Sequence, residues 1–169
     1  MRLAKKDSHL KSITYAEALE VALCYGWIDG QKRPESDDAW LQRFLPRSRR
    51  SIWSKINREK AAALISSGKM RPSGLEAIRA AKECGTWDAA YDSPKNSRIP
   101  ADFEAALNAS PRAREFFETL DGANRYAILF RIQTVKKAET RARKITEFIA
   151  MLKRRERIHE PRSKRKSSK

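Results

Sequence analysis

Histidine is nearly missing from this chain of 169 residues: only His9 and His159 are present, near opposite ends. A zinc site needs three or four convergent donors, so these two imidazoles offer no metal-ligating set, and no metal is expected. Cysteine is as scarce. Cys24 and Cys84 do not make a disulfide framework in a chain of this size, and both flank apolar helical patterns. Buried free thiols are the expected state, with a reactive thiolate as the alternative. The six glycines form no phosphate-cradling or dinucleotide loop, and neither a nucleophile elbow nor an HExxH pair occurs, so no cofactor is expected. Apolar runs near 18 residues are lacking as well, which removes a transmembrane helix. Met1 to Leu10 holds three basic residues and Asp7 with no continuous apolar core, which does not read as a signal segment. A cytosolic protein is expected.

What the chain has is positive charge, a formal +16, unevenly placed. The segment 153–169 carries nine Lys or Arg against two Glu, leaving 28 basic and 19 acidic residues before it. A body of +9 is thus joined to a tail of +7 in which Ile158 is the only sizeable apolar group. Both favour polyanions or anionic surfaces. The expected organisation is one domain over 1–152 and a basic, disordered tail over 153–169, since ordering the tail would cost entropy with little burial in return.

Helical signals dominate the body. Thr14 and Glu17 have capping-box spacing before the stripe Ala18, Leu19, Ala22 and Leu23, which stops near Tyr25-Gly26. Trp27 to Arg33 reads as a short ribbon with a turn signal at Asp29-Gly30, paired with Trp40 to Phe44 or with Arg2 to Lys5. A face of Ile56, Ala61, Leu64 and Ile65 stops at Gly68, and Pro72 opens a helix carrying Leu75, Ile78 and Ala81. Tyr91 to Pro100 is the main surface loop. Helices built on Phe103 and Leu107, then on Phe116, Phe117 and Leu120 after a Ser110 cap, then on Tyr126, Leu129 and Phe130, precede a last amphipathic helix through Ile145, Phe148 and Leu152. The expected fold is mainly α, a compact multi-helix domain with a small antiparallel β element near the N-terminus.

Candidate functional residues gather between Cys24 and Arg58, where three of the four tryptophans fall. Trp27 and Trp53 would wall a groove, with Arg47 and neighbouring cations as anion contacts, an arrangement suited to stacked bases or phosphates. A purely structural reading stands beside it: indoles wedged between helix and ribbon, Asp29 accepting turn amides, Ser54 or Asn57 capping the next helix.

The runs ALCYGWIDG (Ala22 to Gly30), PRSRRSIWSKIN (Pro46 to Asn57), GKMRPSG (Gly68 to Gly74) and NRYAILFRIQTVKKAETRARKI (Asn124 to Ile145) resemble the YdeI/OmpD-associated family, also called bacteriocin-protection proteins. The resemblance spans about Arg2 to Leu152. It implies a small, largely helical protein without an established enzymatic activity, connected with tolerance of antimicrobial peptides. Family members carry a further N-terminal segment, so a misassigned start or a shortened form is expected here. The basic tail is not part of the shared pattern.

The resulting candidate pocket consists of Trp27, Asp29, Arg47, Trp53, Ser54, Asn57, Lys137 and Arg141, with no residue assigned as catalytic. Polyanion contacts are expected from Arg154, Arg155, Arg157, Arg162, Lys164, Arg165 and Lys166. The leading expectation is a non-enzymatic protein of the bacteriocin-protection type that binds an anionic partner, either nucleic acid or an anionic membrane surface. Sequence-independent nucleic-acid binding through the basic surface and tail is one alternative. An enzyme acting on a small anionic metabolite, with Asp29 and Lys137 or Arg141 in a tryptophan-lined pocket, is the other.

Overall fold

A computed structural model of the chain describes residues 1–160. Helix accounts for 49% and strand for 13% of the described residues, so mainly α fits, although the sheet is substantial. The chain divides into two units, Met1–Ala90 and Tyr91–Lys169, and the division falls where the sequence reads as the main surface loop.

The first unit opens with β1 (Arg2–Ala4) and α1 (Tyr15–Cys24). The capping box at the start of α1 is formed in both directions: Glu17 N–H donates to Thr14 Oγ1 at 3.2 Å, and Thr14 N–H donates to Glu17 Oε2 at 2.7 Å. After Gly26, whose φ of 73° lies in the left-handed region, β2 (Trp27–Pro34) and β3 (Ala39–Pro46) form an antiparallel hairpin. The sheet order is β1-β3-β2, so β3 takes β2 on one side and β1 on the other. Asp29-Gly30 is not the turn. The chain reverses between Pro34 and Ala39, where Ser36 Oγ accepts the amides of Asp38 and Ala39. Gly30 instead lies in a bulge between Asp29 and Lys32. The buried Gln42 side chain serves that irregularity by donating to the Gly30 carbonyl at 3.0 Å and to the Arg43 carbonyl at 3.0 Å.

Two further helices complete this unit, α2 (Lys55–Ser66) and α3 (Pro72–Glu83). Pro72 occupies the first turn of α3, where its missing N–H has no cost. Here α3 meets the end of α1 backbone to backbone: Arg71 N–H donates to the Cys24 carbonyl at 3.1 Å, and Gly26 and Gly74 face the contact. A Cβ on Gly26 would meet Ser73 O at 2.7 Å and Ala77 Cβ at 2.8 Å. One on Gly74 would run into the Cys24 carbonyl and Met70 Sδ. The core holds Leu19, Leu23, Trp53, Ala61, Leu64, Ile78 and Ala81. The buried stripes of α2 and α3 are narrower than expected. Ile56, Ile65 and Leu75 are exposed, because Ala61 and Leu64 on α2, and Gly74, Ile78 and Ala81 on α3, supply the buried positions. Cys24 is buried, but Cys84 is exposed, because it sits at the C-cap of α3 rather than on its apolar face.

The second unit is helical: α4 (Ala101–Asn108), α5 (Pro111–Thr119), α6 (Gly122–Gln133) and α7 (Ala138–Lys153). Their inner faces share Phe103, Leu107, Phe116, Phe117, Leu120, Ile128, Ile132, Ile145, Phe148 and Leu152. Ser110 makes no side-chain cap, whereas Asp121 caps α6 by accepting Asn124 N–H at 2.7 Å. That cap holds the Asp121 carboxyl below its ordinary pKa, chiefly through the Asn124 amide.

The chain does not leave the fold at the end of α7, contrary to a disordered tail over the whole of 153–169. Arg155 adopts φ 60° after α7, and Ile158 packs against the helical core. Asn124, 1% exposed, accepts the amides of Ile158 (3.1 Å) and His159 (2.9 Å) at Oδ1 and donates Nδ2–H to the His159 carbonyl at 3.1 Å. One buried side chain thus satisfies the strap that follows α7. Arg162, Lys164, Arg165 and Lys166 lie outside the described residues.

Candidate functional site

Within the first unit, the PRSRRSIWSKIN run builds a stacked arrangement rather than an open groove. The Arg47 guanidinium lies over the Trp53 ring at 3.5 Å from its centroid, donating Nε–H to the Trp27 carbonyl (3.3 Å) and Nη1–H to the Ile52 carbonyl (3.1 Å). Trp53 is 2% exposed. A buried indole beneath a bonded guanidinium is a structural clamp, tying the end of β3 to the start of α2. Ser54 is the N-cap of α2, its Oγ accepting Asn57 N–H at 3.1 Å.

Asp29 is engaged by a side chain rather than by turn amides: Tyr15 Oη–H donates to its Oδ2 at 2.7 Å. Trp27 is 41% exposed and borders a cavity of about 300 Å³ lined by Ile13, Val21, Tyr25 and Phe44. This lining is apolar. Trp27 and Trp53 therefore do not form opposite walls of one groove, and Arg47 lies on the buried indole.

The remaining tryptophan, Trp87, carries no signal in the sequence because it stands apart from the other three. Gly85, at φ 69°, turns the chain after α3, so that Trp87 N–H reaches the Ala81 carbonyl at 3.1 Å. Its ring meets Trp53 edge-on, with centroids 4.9 Å apart at 66°. The Arg58 guanidinium and the Lys82 ammonium lie 5.3 and 5.8 Å from the Trp87 centroid. Lys55, Arg58, Glu59 and Ala62 border an open basin of about 420 Å³ with it.

The sheet adds a second basic surface. Register places Arg2, Leu41 and Arg33 side by side across β1, β3 and β2, with Arg43 two residues along β3. Arg2 is paired with Glu35 at 2.5 Å, whereas Arg33 and Arg43 are exposed and have no acidic partner among the described residues. Leu41 with Arg33, Arg43, Gln31 and Met1 borders a groove of about 550 Å³ there. Trp40, under Lys32 Nζ at 4.0 Å, borders another with Lys5 and Lys6.

The last two pocket candidates belong to the second unit. Lys137 is exposed at the N-cap of α7 and makes no side-chain cap. Arg141 grips Asp102 with both carboxylate oxygens engaged (2.6 and 3.0 Å) and donates Nη1–H to the Ile132 carbonyl at 2.7 Å, locking α7 to α4 and to the end of α6. This guanidinium holds the Asp102 carboxyl below its ordinary pKa. Of the tail cations, Arg154 pairs with Glu156, Arg155 with Glu115, and Arg157 lies 5.7 Å from the Phe116 centroid. Among the described residues there is no cluster of metal-ligating side chains, and no helix is long and apolar enough to cross a membrane.

Comparison with known proteins divides the chain as the structure does. Residues 96–155 match the family described as Bacteriocin-protection, YdeI or OmpD-Associated, and residues 1–77 match a Domain of unknown function (DUF8412). The resemblance expected over Arg2 to Leu152 is thus found over 96–155, which contains the phrase Asn124 to Ile145; the other three phrases fall within the second match. No curated protein and no solved structure matches the chain.

Proposed function

We propose that this is a non-enzymatic, cytosolic protein of the bacteriocin-protection type whose molecular role is to bind an anionic partner through its basic surface and tail. The family match over 96–155 supports the type. The observation that carries the anionic partner is Arg33 and Arg43, exposed on the sheet without carboxylate partners among the described residues, in a chain of formal charge +16. Uncompensated guanidiniums on an exposed sheet face attract phosphate or carboxylate groups, at a rate and affinity that fall with salt.

Of the candidate partners, nucleic acid is favoured over an anionic membrane by the cations gathered on Trp87, which suit a base and its phosphate. A reaction on a small metabolite has weaker support, because Asp29 is engaged by Tyr15 and Arg141 by Asp102.

The test is a titration of the full chain, a chain ending at Glu160, and the Arg33→Gln/Arg43→Gln variant against duplex DNA, single-stranded RNA and anionic vesicles at two salt concentrations. Ending at Glu160 removes Arg162, Lys164, Arg165, Lys166 and Lys169 while keeping the Asn124-held strap. Affinity should fall steeply with salt, the log–log slope on duplex DNA shrinking by about 0.9 for each phosphate that a variant no longer neutralises. Absence of binding to all three at low salt refutes the proposal.

A further inference from the structure

The basin on α2 has the parts of a nucleotide site. Lys55, Arg58, Glu59 and Ala62 follow one another at helical spacing, so they share one face of α2, and Trp87 stands beside that face. Ala62 is exposed and short, which leaves room in the basin that a longer side chain would fill. The half-buried Trp87 meets Trp53 in a T-shaped contact, and Trp53 is itself fixed under Arg47. A platform so braced loses little entropy when a second ring stacks on it.

The charges point the same way. Arg58 and Lys82 both lie within 6 Å of one indole, and neither forms an ion pair among the described residues. Arg58 borders the basin itself, so its guanidinium is placed to meet an anion there. Glu59 is the acidic side chain bordering the basin, and an acidic oxygen beside a stacked ring accepts from an exocyclic amino group. A volume of about 420 Å³ is in the range of small-ligand sites.

We infer that the basin between α2 and Trp87 binds an amino-bearing nucleobase together with its phosphate, the base stacked on Trp87 and the phosphate held by Arg58. This rests on the anionic-partner reading and sharpens it. The nucleotide can be free or part of a single strand, since the same ring and phosphate are presented by both.

The experiment measures binding of a twelve-residue oligoadenylate, an oligouridylate of equal length, AMP, and heparin, a polyanion without bases. The proteins are the full chain and its Trp87→Leu, Trp87→Phe and Ala62→Leu variants. Stacking per base predicts roughly a 10-fold loss of oligoadenylate affinity in Trp87→Leu and a smaller loss in Trp87→Phe. Ala62→Leu fills the basin from an exposed helical position that tolerates leucine, so it should weaken oligoadenylate about 5-fold even if Trp87→Leu unsettles the core. Heparin affinity should stay within about twofold throughout, because its contacts are electrostatic. AMP binding that follows the same ranking assigns the site to free nucleotides as well; oligoadenylate binding without it assigns the site to strands. Equal affinity for the two oligonucleotides, or equal losses for oligoadenylate and heparin, overturns the inference. Heparin binding without any effect of Trp87 or Ala62 substitution removes this site alone, whereas loss of all binding in the unaltered chain removes the anionic-partner reading itself.

Discussion

Replacing Gly74 with alanine opposes two effects of known sign. Alanine is the better helix former by about 1 kcal/mol in a helix interior, so propensity alone makes Gly74→Ala neutral or stabilising. The structure reverses that sign. The added Cβ would overlap the Cys24 carbonyl, which is backbone and cannot rotate away, as well as Met70 Sδ, which can. Relief requires α3 to back away from the end of α1, stretching the Arg71 N–H to Cys24 bond and loosening Ile78 and Ala81 in the core. Overpacking costs about 1–3 kcal/mol, and a weakened buried hydrogen bond about 1 kcal/mol more. Against a propensity gain smaller than about 1 kcal/mol in the first turn, the net expectation is a loss of about 2–3 kcal/mol.

Urea unfolding followed by tryptophan fluorescence measures this cleanly, because Trp27, Trp40, Trp53 and Trp87 all lie in the first unit. With a slope of about 1.5 kcal/mol per molar urea, the midpoint should fall by about 1.3–2 M. Gly122→Ala is the control, with nothing near its added Cβ, and should leave the far-ultraviolet dichroism transition in place or raise it. A Gly74→Ala midpoint equal to or above that of the unaltered chain refutes the backbone contact between α1 and α3.

Asn124→Ala should free the strap at 158–159, read as loss of hydrogen-exchange protection at both amides, with about 2–4 kcal/mol of destabilisation from unsatisfied buried groups and lost packing. Arg47→Ala should cost about 2–3 kcal/mol by uncovering Trp53, whereas Arg33→Gln should change the fluorescence-detected stability by less than about 0.5 kcal/mol. The Asp102 carboxyl is depressed by Arg141, so its stabilisation is complete above the ordinary carboxylate range and is lost as pH falls through the lowered folded value. Dichroism melts below about pH 4 should therefore show a steeper fall for the unaltered chain than for Asp102→Asn, which has no such proton to take up; parallel curves would refute the linkage.

Local chemistry is legible in the sequence at several helix ends, though not at Ser110, which makes no side-chain cap. The capping box at Thr14, the proline at the start of α3, and the stops at Gly26 and Gly68 follow from backbone rules that need no tertiary information. The ribbon is legible too, but not its turn: Asp29-Gly30 carries turn chemistry, yet Gln42, twelve residues beyond Gly30, stabilises a bulge there instead. The tail misleads for a related reason. Composition marks 155–160 as unable to bury surface, and the buried Asn124 that holds the amides of Ile158 and His159 is 34 and 35 residues away. The site is the least legible part, because Trp27 and Trp53 fall in one tryptophan-rich stretch but differ in burial, while Trp87 reaches Trp53 from outside that stretch.

The most recognisable phrases of the sequence describe packing, in the 1–77 match as in the 96–155 match. Arg47 has two carbonyls and an indole to hold, Ser54 a helix amide, Arg141 a carboxylate and a carbonyl, while Gly26 and Gly74 provide a contact that tolerates no side chain. A ligand that drew on those donors would have to unmake the fold that positions it, at a cost of several kcal/mol for each buried group left unsatisfied. Groups able to meet a partner without that penalty lie elsewhere: Arg33 and Arg43 on the sheet, and Arg58, Glu59 and Lys82 around Trp87. In this chain the most recognisable motifs hold the scaffold, and the proposed binding falls to residues whose types carry no signature until the fold brings them together.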